Sequence, residues 1–157
     1  TTNGEGCGHI LPGTGIMFNN MLGEQDLNPL GFHNWSKRKR MPTLISPSMI
    51  IDRDGVAELV IGTGGSNRIR SAIIQVLLRY YIDSQSLDTA IASPRLHLEG
   101  ADLFIEPGID IEDEHYININ IGINRFSAPN LFFGGVNAVT RTEAVGDQRR
   151  GAWGIIC

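Results

Sequence analysis

Apolar and polar positions fall into short blocks whose period changes along the chain. Ser48-Met49-Ile50-Ile51 and residues 56–61 are two apolar runs around Asp52-Arg53-Asp54-Gly55, turn chemistry that predicts a β-hairpin. After them, Ile69, Ala72, Ile73, Val76, Leu77 and Tyr80 recur at helical spacing and predict a helix running to Ile82. Ser66 or Asn67 is placed to cap it. The stretch G-T-G-G-S-N-R-I, residues 62–69, joins strand to helix, so the segment reads strand, Gly-rich turn, helix. A second helix is expected from Ser86, with Leu87, Ala90 and Ile91 as its stripe and Pro94 as its stop. Residues 95–98 and 102–106 read as strands, residues 116–123 alternate with period two, and residues 131–133 and 136–140 read as the last strands. Ahead of the hairpin lie a Gly-rich loop over residues 1–13, a short buried strand at Ile16-Met17-Phe18, and a long ordered loop over residues 21–39. No repeat or linker divides the chain, and the pattern as a whole is one α/β domain with substantial antiparallel content.

Composition adds exclusions. The chain has 157 residues, 41% apolar and 19% charged, which argues against disorder. Its 13 Lys+Arg against 17 Asp+Glu give a net charge of −4, the wrong sign for a nucleic-acid binder that works by bulk charge. No apolar run is long enough to cross a bilayer as a helix. Two cysteines, Cys7 and Cys157, are too few for a disulfide scaffold or a structural zinc site, and they could pair only if the chain ends meet. The 19 glycines are nearly twice the usual share of about 7%, the signature of tight turns or close backbone approach to a ligand.

The chemistry that this pattern offers is concentrated at the Gly-rich turn. Backbone N–H groups at a helix N-terminus point outward unpaired, and the helix dipole adds positive potential. Such a turn holds a phosphate, forms an oxyanion hole for acyl transfer, or simply connects two elements. It has no Lys after the glycines, and G-x-G-x-x-Asn lacks the third Gly of a dinucleotide fingerprint. A second candidate is Thr1, since an N-terminal Thr offers a hydroxyl nucleophile beside an α-amine base. Polar residues near the turns, Asn19, Asn20, Glu24, Thr43 and Ser46 among them, read singly as loop chemistry. His9, His33, His97 and His115 show no metal-ligand spacing, so no metal or cofactor is expected. Lys37-Arg38-Lys39-Arg40 reads as a solvated basic loop.

Taken together, the stretches P-G-T-G-I-M-F-N-N at 12–20, K-R-M-P-T-L-I-S-P-S at 39–48, G-T-G-G-S-N-R-I at 62–69 and A-S-P-R-L-H at 92–97 resemble the small subunit of γ-glutamyltransferases. The closing N-L-F-F-G-G-V-N-A-V and G-D-Q-R-R-G-A are similar to that family's last strands and tail. The resemblance implies an N-terminal-nucleophile (Ntn) hydrolase: a four-layer αββα sandwich of which this chain is the small-subunit half, with largely antiparallel sheets. It implies a precursor that cleaves itself before a Thr, and a large subunit from the same precursor as partner. That Thr attacks a glutathione-like γ-glutamyl amide, and water or an amino-acid or peptide amine takes the acyl group. Carried over by motif, Gly65 and Ser66 supply the oxyanion hole. Glu24 and Asn3 hold the substrate ammonium, and Thr43 contacts its carboxylate. A periplasmic or secreted location is favoured over a cytoplasmic one.

Four departures stand beside the resemblance. Leu44 occupies the second of two places that are usually serine, and Met21 stands where a polar amide is common, which leaves room for another acyl group. The family has a helix near residues 116–123, where the alternation here reads as strand; the resemblance is preferred. Counting back from Asn19-Asn20 places Thr1-Thr2-Asn3 on a family T-x-N motif. Thr1 is then a Thr that supports the nucleophile, and the first strand with the nucleophile itself lies upstream. The rival reading makes Thr1 the nucleophile. Two further readings remain open: a nucleotide- or phosphate-binding module using residues 62–67, and a catalytically silent homologue.

Overall fold

A computed structural model describes residues 6–111 and 120–157. The chain divides into two compact units, Thr1–Leu44 and Ile45–Cys157.

In the first unit, residues 7–18 fold back on themselves. Phe18 N–H donates to the His9 carbonyl at 3.0 Å and Leu11 N–H to the Ile16 carbonyl at 2.8 Å, with Gly13 and Gly15 at positive φ in the bend. Only a single antiparallel bridge, Ile10 to Met17, forms there. The buried strand expected at residues 16–18 is therefore corrected. Ile16, Met17 and Phe18 are 64%, 46% and 48% exposed, and one bridge cannot bury an apolar run. The loop that follows holds two single 3₁₀ turns, Met21–Gly23 and Gln25–Leu27.

In the second unit, β1 (Ser48–Ile51) and β2 (Ala57–Gly62) pair antiparallel. The hairpin predicted from Asp-Gly forms because Asp52 Oδ1 accepts from the N–H groups of Asp54 and Val56, each at 2.9 Å, while Gly55 takes φ +79°. Alternation along β2 buries Leu59 and Ile61. Next come α1 (Arg68–Tyr81), α2 (Leu87–Ala92), β3 (Leu96–Glu99) and β4 (Asp102–Ile105). The chain closes with β5 (Gly122–Arg125), β6 (Asn137–Val139) and β7 (Ala144–Val145). One sheet has the order β1-β2-β6-β7, all antiparallel; the other has the order β3-β4-β5, with β4 and β5 parallel.

The stripe Ile69, Ala72, Ile73 and Val76 is buried, and α1 packs on α2 and β3. Ser86 caps α2, its hydroxyl accepting from Thr89 N–H at 3.3 Å. Two expectations are corrected here. Residues 131–133 are a 3₁₀ turn, not a strand, because the Asn130 side chain accepts from Phe132 N–H at 2.9 Å and bends the backbone. The helix that the resemblance implied near 116–123 lies outside the described residues up to 119, and Gly122 and Ile123 belong to a strand. Cys7 and Cys157 are both free and exposed. Among the described residues, no helix is long and apolar enough to cross a membrane.

Candidate active site

Residues 62–66 leave β2 and enter α1 through two unusual conformations. Gly65 has φ +133° and Ser66 has φ +51°. Their carbonyls receive the first N–H groups of the helix, Arg68 to Gly65 at 2.9 Å and Ile69 to Ser66 at 3.1 Å. The N–H groups at this end consequently face away from the helix, where the positive end of its dipole lies. No described residue accepts from the Gly65 N–H. An arrangement of this kind is suited to receive a developing negative charge.

A second glycine pair holds the turn from behind. Gly134 has φ +84°, and a Cβ placed on it would lie 2.9 Å from Thr63 Oγ1 and 3.0 Å from the Gly64 carbonyl oxygen. A Cβ on Gly65 would in turn lie 3.2 Å from Gly134 Cα. Gly135 N–H donates to Thr63 Oγ1 at 2.9 Å, and that hydroxyl donates to the Gly64 carbonyl at the same distance. Two backbones thus meet with no room for side chains, which explains glycine at 65 and 134.

Behind α2 lies a buried charge cluster. Arg95 Nη2 is 2.7 Å from Asp147 Oδ2, and Arg149 Nη2 is 2.6 Å from Glu106 Oε2. Arg149 Nη1 also reaches Asp147 Oδ1 at 3.3 Å, so two cations and two carboxylates form one neutral group. Burial pushes the Asp147 carboxyl up, but the Arg95 charge and hydrogen bonds from Arg149, Arg95 and Val136 outweigh it and leave it below the ordinary carboxylate range. Sequence reasoning misses this cluster. S-P-R and G-D-Q-R-R are visible as motifs, but their pairing across the chain is not.

Beside the turn, Asn67 does not cap α1 as expected; its side chain makes no cap bond. It donates instead to Glu99 Oε1 at 2.7 Å. His97 is 1% exposed, with Nδ1 at 2.8 Å from Ser71 Oγ and Nε2 at 3.3 Å from Glu99 Oε2. Burial lowers the His97 pKa; the Glu99 carboxylate opposes this, and the nearby Arg68 and Arg70 charges add to it. The unfolded chain therefore takes up this proton first on acidification, at a pKa of about 6.5. The His97 contribution to stability is complete above about pH 6.5 and declines as pH falls below it. Melting temperatures between about pH 8 and 5 should show this decline, and His97→Asn should remove its share. Equal slopes in the two proteins would contradict the assignment.

The remaining predicted residues fall in the first unit. Glu24 is half-buried between the two 3₁₀ turns, its carbonyl accepting from Asn28 Nδ2 at 2.6 Å; Asn28, 7% exposed, also donates to the Leu22 carbonyl. Met21, half-buried, opens the first of these turns. Thr43 is exposed and Leu44 half-buried. Thr1 and Asn3 lie outside the described residues.

The sequence profile of the Gamma-glutamyltranspeptidase family matches residues 1–154. The glutathione hydrolase proenzyme of Pseudomonas aeruginosa is 34% identical over 103 residues, covering 59% of this chain and 18% of that protein. The acylase ACY 1 proenzyme of Pseudomonas sp. (strain SE83) is 29% identical over 99 residues, covering 63% of this chain and 18% of its own length. The matched region thus spans less than a fifth of these curated relatives. The gamma-glutamyltranspeptidase of Pseudomonas nitroreducens superposes with a TM-score of 0.78 at 24% identity, over 100% of this chain and 90% of that one. The Bacillus anthracis transpeptidase CapD superposes at 0.71 and 26% identity, over 96% and 86%. The fold is therefore the mixed α/β, largely antiparallel arrangement of these Ntn hydrolases.

Proposed function

The chain belongs to the gamma-glutamyltranspeptidase family, and from that premise we propose that it is the small-subunit part of an enzyme that transfers or hydrolyses γ-glutamyl groups. The observation that carries the reading is the family match over residues 1–154, which takes in the turn, the glycine pair behind it and both halves of the buried charge cluster. In this mechanism a threonine hydroxyl gives its proton to an amine base and attacks the γ-carbonyl carbon of a γ-glutamyl amide. The carbonyl oxygen becomes an oxyanion, and the N–H groups of Gly65 and Ser66 donate to it. Collapse expels the amine, which takes up the proton, and leaves the acyl group as an ester on the threonine. Water or an amino-acid or peptide amine then attacks that ester and frees the threonine.

Glu24 supplies the carboxylate for the substrate ammonium, with Asn3 beside it, and Thr43 a hydroxyl for the substrate carboxylate. The partner is a large subunit cut from the same precursor, and a periplasmic or secreted location belongs to the same proposal. Leu44 and Met21 are less polar than the residues usual at their places. They leave room for another acyl group beside γ-glutamyl. The family membership does not favour a nucleotide-binding module.

The test is made on the full precursor. Self-cleavage should be seen by intact mass, a γ-glutamyl anilide should be turned over, and a γ-glutamyl electrophile should label one threonine. Labelling of Thr1 makes it the nucleophile, and labelling of a threonine N-terminal to it makes Thr1 the supporting residue. A precursor that neither cleaves itself nor forms an adduct would refute the proposal and leave a catalytically silent homologue.

A further inference from the structure

The geometry points to Asn67 and Glu99 as positioning residues for the Gly65–Ser66 turn, completed by Ser71 and His97 into a clasp between the first turns of α1 and strand β3. The inference rests on the acyl-transfer reading above. Asn67 and Ser71 are one helical turn apart on α1, and His97 and Glu99 are two residues apart on β3, so each pair shares a face of its element. Asn67 Nδ2 meets Glu99 Oε1 at 2.7 Å, Glu99 Oε2 meets His97 Nε2 at 3.3 Å, and His97 Nδ1 meets Ser71 Oγ at 2.8 Å.

The direction of every proton in this chain follows from its acceptors. A hydrogen bond from Asn67 is the largest influence on Glu99 and, with His97 and Arg68, holds its carboxyl below the usual range despite partial burial, so Glu99 is ionised and only accepts. His97 Nε2 must then carry the proton, Nδ1 is the acceptor, and Ser71 donates to it. Each group has one orientation, which makes the clasp a rigid strut. The ring is further fixed by Phe104 and Phe132, with centroids 6.5 and 6.2 Å away.

The strut bears on the turn because Asn67 directly follows Ser66. An asparagine at the start of a helix ordinarily spends its side chain on the helix's own N–H groups. Here that bond is given up for one to a strand 32 residues away. The consequence is that Asn67, and with it the Ser66 peptide, is referenced to β3 and does not move freely with the helix end. Arg68 adds a lateral hold, its guanidinium 4.8 Å over the Phe132 ring and its Nε donating to the Phe132 carbonyl at 3.3 Å.

Exchange of donor and acceptor provides the test, in the self-processed enzyme assayed with a γ-glutamyl anilide. Asn67→Asp puts two carboxylates against each other. The same change places a negative charge at the N-terminus of α1, which favours the helix, so it separates turn geometry from overall stability. We expect kcat to fall at least tenfold with KM within twofold and the melting temperature nearly unchanged. Adding Glu99→Gln restores a bond with its direction reversed: the new amide nitrogen donates to the carboxylate introduced at position 67 while its oxygen still accepts from His97, and kcat should recover to within about threefold of the parent. If Asn67→Asp fails to process itself, Asn67→Ser removes the bond without adding charge and should show the same split between kcat and KM. Unchanged kcat in the folded single variants, or no recovery in the double variant, overturns the inference. A parent that processes itself but turns over no γ-glutamyl compound overturns the acyl-transfer reading first, and is told apart by that.

Discussion

Asp147→Ala should lower the melting temperature of the assembled protein by on the order of 10 °C, the largest stability effect expected of any single substitution in the described residues. Asp147 is 2% exposed and accepts four hydrogen bonds: from Arg95 Nη2 at 2.7 Å, Arg149 N–H at 2.9 Å, Val136 N–H at 3.0 Å and Arg149 Nη1 at 3.3 Å. Its loss turns a neutral group of four charges into one with a net positive charge where water does not reach. Arg149 keeps Glu106, but Arg95 keeps only the carbonyls of Ile91 and Phe133, and its Nε already has no acceptor among the described residues. Breaking a buried pair from one side costs about 3–5 kcal/mol, because the remaining charge is left desolvated.

Asp147→Asn keeps the shape and one of the two backbone bonds, since Val136 N–H and Arg149 N–H donate to different oxygens, and should cost less. The wild-type carboxyl titrates below its unfolded value of about 3.9, so its contribution is fully present above that pH and fades as pH falls through the lower, folded value. The acid limb of the stability profile should therefore flatten in both variants. A change of less than about 2 °C at neutral pH in Asp147→Ala would show that the cluster is not the support described.

The cluster is out of reach of the sequence for a physical reason. Its members, Arg95, Glu106, Asp147 and Arg149, are brought together by strand order and by the 3₁₀ turn at residues 148–150, and nothing local to any of them specifies a partner. The elements that are legible depend on neighbours in sequence. The β1–β2 hairpin is set by Asp52 and Gly55, α1 by its apolar stripe, and α2 by the Ser86 cap. Leu131-Phe132-Phe133 reads wrongly as a strand because a three-residue apolar run has no period, and the choice is made by one Asn130 side chain. The position of the Gly65–Ser66 turn can be read for the same local reason, since β2, glycines and α1 follow one another directly. Of the two residues offered as the cap, Ser66 and Asn67, Asn67 stands at the N-cap position of α1, but its side chain makes no cap bond and reaches Glu99, on a strand that periodicity cannot bring near.

Gly134→Ala should have the largest effect on catalysis, a fall in kcat of on the order of 100-fold in the processed enzyme. The residue touches no substrate in the proposed mechanism; the effect is transmitted by two backbones in contact. At φ +84° and ψ −167° an alanine is strained, at a cost of about 1–3 kcal/mol. Its Cβ would lie 2.9 Å from Thr63 Oγ1, 3.0 Å from the Gly64 carbonyl oxygen and 3.4 Å from Ala72 Cβ. The nearest two of these atoms belong to the turn itself, so relief of the clash moves Thr63 and Gly64, and Gly65 with them. It also disturbs the bond from Gly135 N–H to Thr63 Oγ1, the one hydrogen bond that ties the glycine pair to the turn among the described residues. Removing one oxyanion donor typically costs about 10²–10³ in kcat, and a misplacement of about 1 Å transmitted from outside the site costs about 10²-fold. Gly100→Ala is the matched control, because Gly100 has φ +60° but nothing within 4 Å of its Cβ position. It carries the backbone strain without the clash and should lower stability while leaving kcat within twofold. If Gly134→Ala also leaves kcat within twofold once processed, the Gly65–Ser66 turn is not where charge develops in the reaction.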